Sequence, residues 1–260
     1  MNYEHAEKEF KRFIEVYDCN HDKISRKIDH TFGVVKLSEY IAKQLGLSDE
    51  DIELAKIIAL LHDIGRFEQA KVYDNFDDYV TMDHGNYGVE ILTQNGYIRK
   101  FIETDEYDRI ILTAIKTHNK YRIEDNLSEE ELLHSKIIRD ADKLDNYRIA
   151  AITDVMSLAT NTKEETLITQ EISDEVFSDV LNCKSVARIH MRNGLDRWIS
   201  YIGYLFDFNF DLCLEYVKEK DYINLFVDRF PFEKEETKKR MESIRGCAHN
   251  YIIKRIKNEI

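Results

Sequence analysis

One proline, Pro231, and nine glycines are the only strong backbone breakers in this 260-residue chain. That scarcity excludes collagen-like repeats, proline-rich linkers and low-complexity arrays, and it disfavours a turn-rich β-sandwich. The four cysteines, Cys19, Cys183, Cys213 and Cys247, stand far apart without a CxxC pair. A zinc knuckle and a thioredoxin-like motif are thereby excluded, and free thiols in a reducing compartment are expected. Positive charge is short as well: 37 Lys and Arg face 50 Asp and Glu, a net charge of −13. Duplex nucleic acid and anionic membrane surfaces need a basic face, so neither is expected as a partner. Clean apolar runs such as Ile57 to Leu61 fall far below the ~20 residues of a membrane span. The first residues, MNYEHAEKEF, lack the apolar stretch of a signal peptide. The expectation is a soluble, cytoplasmic protein.

What the chain does have is helix signal. Hydrophobic residues make up 43% and charged residues 33%, enough for a packed core. Ser48-x-x-Asp51 and Ser128-x-x-Glu131 read as capping boxes, and Thr104 and Ser173 precede acidic first turns. The pattern predicts helices near 3–17, 23–45, 49–63, 84–95, 104–119, 128–152, 174–192, 195–217, 221–229 and 234–258. Residues 66–82 have the least periodicity and read as a long loop with a short helical turn. No strand alternation is sustained, so the fold class is all-α. The polar stretch 161–170 reads as a linker between a front region, 1–160, and a C-terminal helical extension, 161–260.

The chemistry lies in polar residues placed on apolar faces. His-Asp occurs twice, and context separates the two. His21-Asp22 sits among Asn20 and Lys23 as a polar helix start. His62-Asp63 ends the run Ala-Lys-Ile-Ile-Ala-Leu-Leu, and Ala55, Ile58 and Ala59 share the face of His62. His30 shares a face with Val34, Leu37 and Ile41, and His118 with Ile111, Ala114 and Ile115. His84 opens a helix carrying Tyr87 and Ile91, and Asp142 lies between Ile138 and Ile149. Singly, each reads as a satisfied core group. Together they are costly to bury unless each has a partner, and a metal supplies one to all. Imidazole and carboxylate without thiolate suit Mn, Fe, Zn, Co or Ni.

In order and context these residues resemble the HD-domain superfamily of metal-dependent phosphohydrolases. The words that carry the likeness are DHTFGVV around His30, LLHDIGRFE around His62-Asp63, MDHGNYG around His84, KTHNK around His118 and IIRDADKLDN around Asp142. It spans residues 23–150. The resemblance implies a helical bundle with two divalent metal ions. His30, His62, Asp63 and Asp142 would hold the first, and His84 and His118 the second, with Asp63 bridging. It further implies hydrolysis of a phosphoester or phosphoanhydride of a small molecule, a nucleotide being the expected kind, with a metal-bridging hydroxide as nucleophile. Two other activities remain open: a di-iron oxygenase of the same superfamily and a non-catalytic nucleotide-sensing module. The GYP signature of the cyclic-dinucleotide branch is absent.

Arg66 and Lys143, each next to the metal motif, are candidate clamps for phosphate charge beside Asp63. Asp140, Asp145 and Asn119, and less strongly Asp29 and Asp83, are candidates to orient the ligands. Arg188 and Arg192 form a locally basic segment. Aromatic residues concentrate between Trp198 and Phe232, a second core that could also form a homodimer surface or a stacking platform.

Overall fold

A computed structural model describes residues 1–158 and 162–259. Among them no strand occurs. Thirteen α-helices run in chain order: α1 (Tyr3–Ile14), α2 (Asp22–Gln44), α3 (Asp49–Leu61), α4 (Ile64–Tyr73), α5 (His84–Thr93), α6 (Asp108–Thr117), α7 (Glu129–Ile152), α8 (Glu164–Leu167), α9 (Asp174–Leu181), α10 (Gly194–Gly203), α11 (Asp211–Glu219), α12 (Tyr222–Asp228) and α13 (Glu235–Ile256). The fold is all-α. Among the described residues, no helix is long and apolar enough to cross a membrane. The chain divides into two compact units, Met1–Asp145 and Asn146–Ile260, with the boundary inside α7. The expected boundary at 160/161 lies outside the described residues, and part of the expected linker forms the short α8.

In the first unit, α2 packs along α3, α4 along α5, and α5 along α6, while α1 closes over α3. Both predicted N-caps form, but only the second closes as a reciprocal box; at the first, Ser48 Oγ donates to Asp51 Oδ2. Ser48 Oγ accepts from Asp51 N at 3.1 Å. Ser128 and Glu131 satisfy each other's backbone N–H reciprocally, at 3.2 and 2.8 Å.

The sequence reading departs from the structure at four points. Residues 64–73 form a ten-residue helix rather than a short turn within a loop, because Ile64, Phe67 and Ala70 bury one stripe, and Phe67 meets Phe10, Phe13 and Tyr17 of the N-terminal segment. α6 begins at Asp108 rather than 104, since the Thr104 carbonyl accepts from Arg99 instead of starting a helix. α9 ends at Leu181, where Cys183 turns into the left-handed region and Asp179 accepts from Ala187 N and His190 Nδ1. The stretch 195–217 breaks between α10 and α11 at a 3-10 turn followed by the extended Phe208 and Phe210.

In the second unit, α13 packs on α9, α11 and α12. Tyr147 stacks on Phe226 at 5.0 Å, Trp198 sits edge-on to Phe226 and Phe230, and Trp198 Nε1 donates to the Phe226 carbonyl. Tyr147, Trp198 and Phe226 are fully buried and form a core, not a stacking platform.

Candidate metal centre

The site begins at a break between helices. α3 stops at Leu61, His62 holds the cap position, and Asp63 adopts φ −103°, ψ 18° before α4 starts at Ile64. In an unbroken helix, consecutive side chains diverge by about 100°. Here the break brings His62 Nε2 to 3.5 Å from Asp63 Oδ2. Gly65, which the sequence suggests as a helix C-cap, instead lies in the first turn of α4. A Cβ there would come 2.4 Å from the His84 carbonyl oxygen, so only glycine allows α5 to start beside Asp63. Asp83 caps α5 through Asn86 N, which fixes His84 at its first position. His118 holds the C-cap of α6. The buried Arg139 anchors that end, donating to the carbonyls of Thr117, His118 and Lys120. His30 and Asp142 come from α2 and α7.

Asp63 divides its two oxygens between two donor sets. Oδ2 lies 3.7 Å from His30 Nε2 and 3.5 Å from His62 Nε2. Asp142 Oδ1 completes that set, 3.0 Å from His30 Nε2 and 4.0 Å from His62 Nε2. Oδ1 lies 3.3 Å from His84 Nε2 and 3.6 Å from His118 Nε2. The structure thus brings together all six residues expected as ligands. The triads His30–His62–Asp63 and Asp63–His84–His118 are each compact enough to hold an ion.

The imidazoles fit metal ligation in their tautomers too. Every Nδ1 is spent outward: His62 on the Ala59 carbonyl, His118 on the Ile115 carbonyl, His30 on Asp145 and His84 on Asp78, all at 2.6–2.7 Å. A carbonyl can only accept, so the Nδ1 atoms of His62 and His118 carry hydrogen. In the neutral ring the Nε2 lone pair then points inward. Burial pushes His62 down to about 4 and His84, helped by Arg66, down to about 3, which keeps both rings neutral at neutral pH. The Nε2 of His62 is buried without a hydrogen-bond partner, that of His30 lies 3.0 Å from Asp142 Oδ1, and those of His84 and His118 face each other at 2.9 Å. A pair at that separation suits a shared proton or a metal ion between the two nitrogens. Donor separations of about 3–4 Å are those around an ion with bonds of ~2.1 Å.

The surrounding charges agree. Burial and Lys27 lower the His30 pKa, yet its bonds to Asp142 and Asp145 outweigh them and the net shift is upward. Positive charge is favoured at that point. Burial raises the Asp63 carboxyl, but Lys27, His62, His118 and His84 together hold it well below the usual carboxylate range. Asp142 is likewise held low, burial being outweighed chiefly by His30.

The ligand-orienting candidates sort by contact. Asp145 holds His30 directly. Asn119 donates to Asp78 and Asp83 at 3.1 Å each, and so braces the pair that holds His84 and caps α5. Asp140 is buried on α7. Of the two cations, Arg66 is anchored through Nη1 to Gln69, the Phe76 carbonyl and Asp78. Its Nε lies 3.8 Å from Asp63 Oδ1, buried and without a hydrogen-bond partner. Lys143 is buried, with Nζ 3.3 Å from the Arg139 carbonyl one turn back. His21 of the other His-Asp pair is largely exposed and pairs with Asp74. In the second unit, Arg192 lies 3.5 Å from Glu175. The sequence reading missed Asp78, Lys27 and Arg139.

No curated protein and no solved structure gave a significant match. The HD-domain family model matches residues 28–147, the stretch that supplies all six converging side chains. Over that stretch the chain carries the HD-domain pattern.

Proposed function

We propose that this chain is a phosphohydrolase that uses two divalent transition-metal ions to cleave a phosphoester or phosphoanhydride of a small molecule, a nucleotide being the class we favour. The observation that carries the reading is the division of Asp63 between two donor sets, which suits one carboxylate shared by two ions. When bound, such ions supply activation of water at neutral pH and neutralisation of phosphoryl charge. His30, His62, Asp63 and Asp142 would hold one ion, and Asp63, His84 and His118 the other. Asp145 and Asp78 fix the rings of His30 and His84 and raise their basicity as ligands.

The chain's own contribution to substrate binding is Arg66. Its Nη1 is locked by the 74–83 segment, so the buried Nε–H is fixed beside Asp63 and free to donate to a phosphoryl oxygen. Lys143 is the weaker clamp of the two, because its ammonium turns back to its own helix. In a chain of net charge −13, an anionic substrate needs such local cations. Its four free thiols suit a reducing cytoplasm.

The test is metal content per chain by mass spectrometry, followed by phosphate release from a panel of phosphomonoesters, phosphodiesters and nucleoside triphosphates. Two ions per chain and metal-dependent phosphate release are expected. His84→Ala and His118→Ala should each lose about one ion while the fold survives. Full metal content in both variants would refute the second ion. Oxygen uptake with iron alone, and no phosphate release, would replace the hydrolase by an oxygenase.

A further inference from the structure

Lys27 lies one turn before His30 on α2, and its ammonium donates to Asp63 Oδ2 at 2.6 Å. Its side chain is 18% exposed, and Nζ rests 5.4 Å from the centre of the Phe76 ring. The oxygen it holds is the one that faces His30 and His62. An ammonium and a divalent ion therefore compete for the same carboxylate lone pairs. Arg66 is no substitute: its Nε stands 3.8 Å away, beside the other oxygen, and its Nη1 is tied to Asp78.

Resting on the two-ion reading above, we propose that Lys27 is a tethered stand-in cation that holds Asp63 while the site is free of metal and yields it to the incoming ion. The argument is electrostatic. Asp63 is almost wholly buried, and a buried carboxylate left without a partner is strongly destabilising. Lys27 compensates that charge before metal arrives. It is covalently part of the chain, so it meets Asp63 at every encounter, and an entering ion must displace it. Lys27 thus stabilises the metal-free protein and weakens apparent metal affinity. A residue that merely oriented Asp63 would do the reverse to affinity, because pre-organising a ligand tightens binding.

The experiment compares the full chain with Lys27→Met, Lys27→Gln and Lys27→Arg, all stripped of metal. Thermal unfolding and Mn2+ titration by calorimetry are the readouts, so no turnover is needed. Met keeps the aliphatic stem over Phe76 and removes the charge; Gln is the milder variant should Met not fold. In both, the metal-free protein should unfold at lower temperature. The apparent Kd for the first Mn2+ should fall at least tenfold, a gain of about 1.4 kcal/mol. Saturating Mn2+ should close the gap in unfolding temperature. Arg should restore the metal-free unfolding temperature. Unchanged or weaker Mn2+ affinity in Met and Gln, with metal still bound, overturns the proposal and leaves the two-ion site standing. No uptake of Mn2+ or any other divalent ion by the parent chain overturns both.

Discussion

Gly33 offers a test in which two ordinary expectations oppose each other. It lies inside α2, on the turn after His30. Glycine to alanine within a helix normally stabilises by about 1 kcal/mol, because alanine has less backbone freedom to lose. Here an added Cβ would lie 2.0 Å from Asp145 Oδ1 and 2.6 Å from its Cγ, so the carboxylate must leave. Asp145 is fully buried and accepts the Nδ1–H of His30 at 2.7 Å. Displacing it adds overpacking of about 1–3 kcal/mol, which cancels or reverses the helix gain. It also removes the partner that sets the His30 ring, and loss of such a partner weakens metal affinity by roughly 10–100-fold. Gly33→Ala should therefore be no more stable than the parent in urea unfolding, and should lose that factor for the ion on the His30 side in Mn2+ titration. Asp145→Ala should reproduce the affinity loss. A Gly33→Ala protein about 1 kcal/mol more stable with unchanged Mn2+ affinity would refute the reasoning, since Asp145 would then have room to stay.

Two further tests address parts remote from the ligands. The Glu131 carboxyl is lowered to about 2, chiefly by the Ser128 backbone N–H, with help from Arg109 and Thr113. A depressed carboxyl gives stability that is complete above its ordinary value near 4.5 and is lost as pH falls through about 2. Glu131→Gln should flatten the pH dependence of urea stability in that window, and an unchanged acid limb would count against the capping role. Trp198 is fully buried and bonded through Nε1 to Phe226. Trp198→Ala should cost about 3–5 kcal/mol in denaturant unfolding, and a loss below 1 kcal/mol would argue against its place in the core.

The ligands were legible because each is a polar residue on an otherwise apolar helical face, and burying such a residue without a partner is costly. Their supports were less so. Asp78 sits in the aperiodic 74–83 segment, where no repeat tells an inward carboxylate from Asp74 or Asp77. Lys27 looks in sequence like Lys23 and Arg26, and only the docking of α2 against Asp63 separates them. Arg139 satisfies carbonyls about twenty residues earlier, a relation no local pattern encodes. Gly65 suggested a helix end because glycine commonly ends helices, yet a close approach between two backbones demands it as strongly. α4 reads in the sequence as no more than a short helical turn within a loop, although Ile64, Phe67 and Ala70 share a face. Their stripe is short and becomes decisive only against the aromatic rings of the N-terminal segment.

The division of Asp63 between two donor sets has a consequence for how the site is assembled. His84 and His118 are 34 residues apart, whereas His30 and its partner Asp145 are separated by 115. Closing the longer loop costs about 1 kcal/mol more in chain entropy. The nearer set is complete once α6 has formed; the farther one must wait for α7 to be made and docked. During synthesis, the His84–His118 side can gather around Asp63 first, and the arrival of α7 is what turns a partial pocket into a shared one.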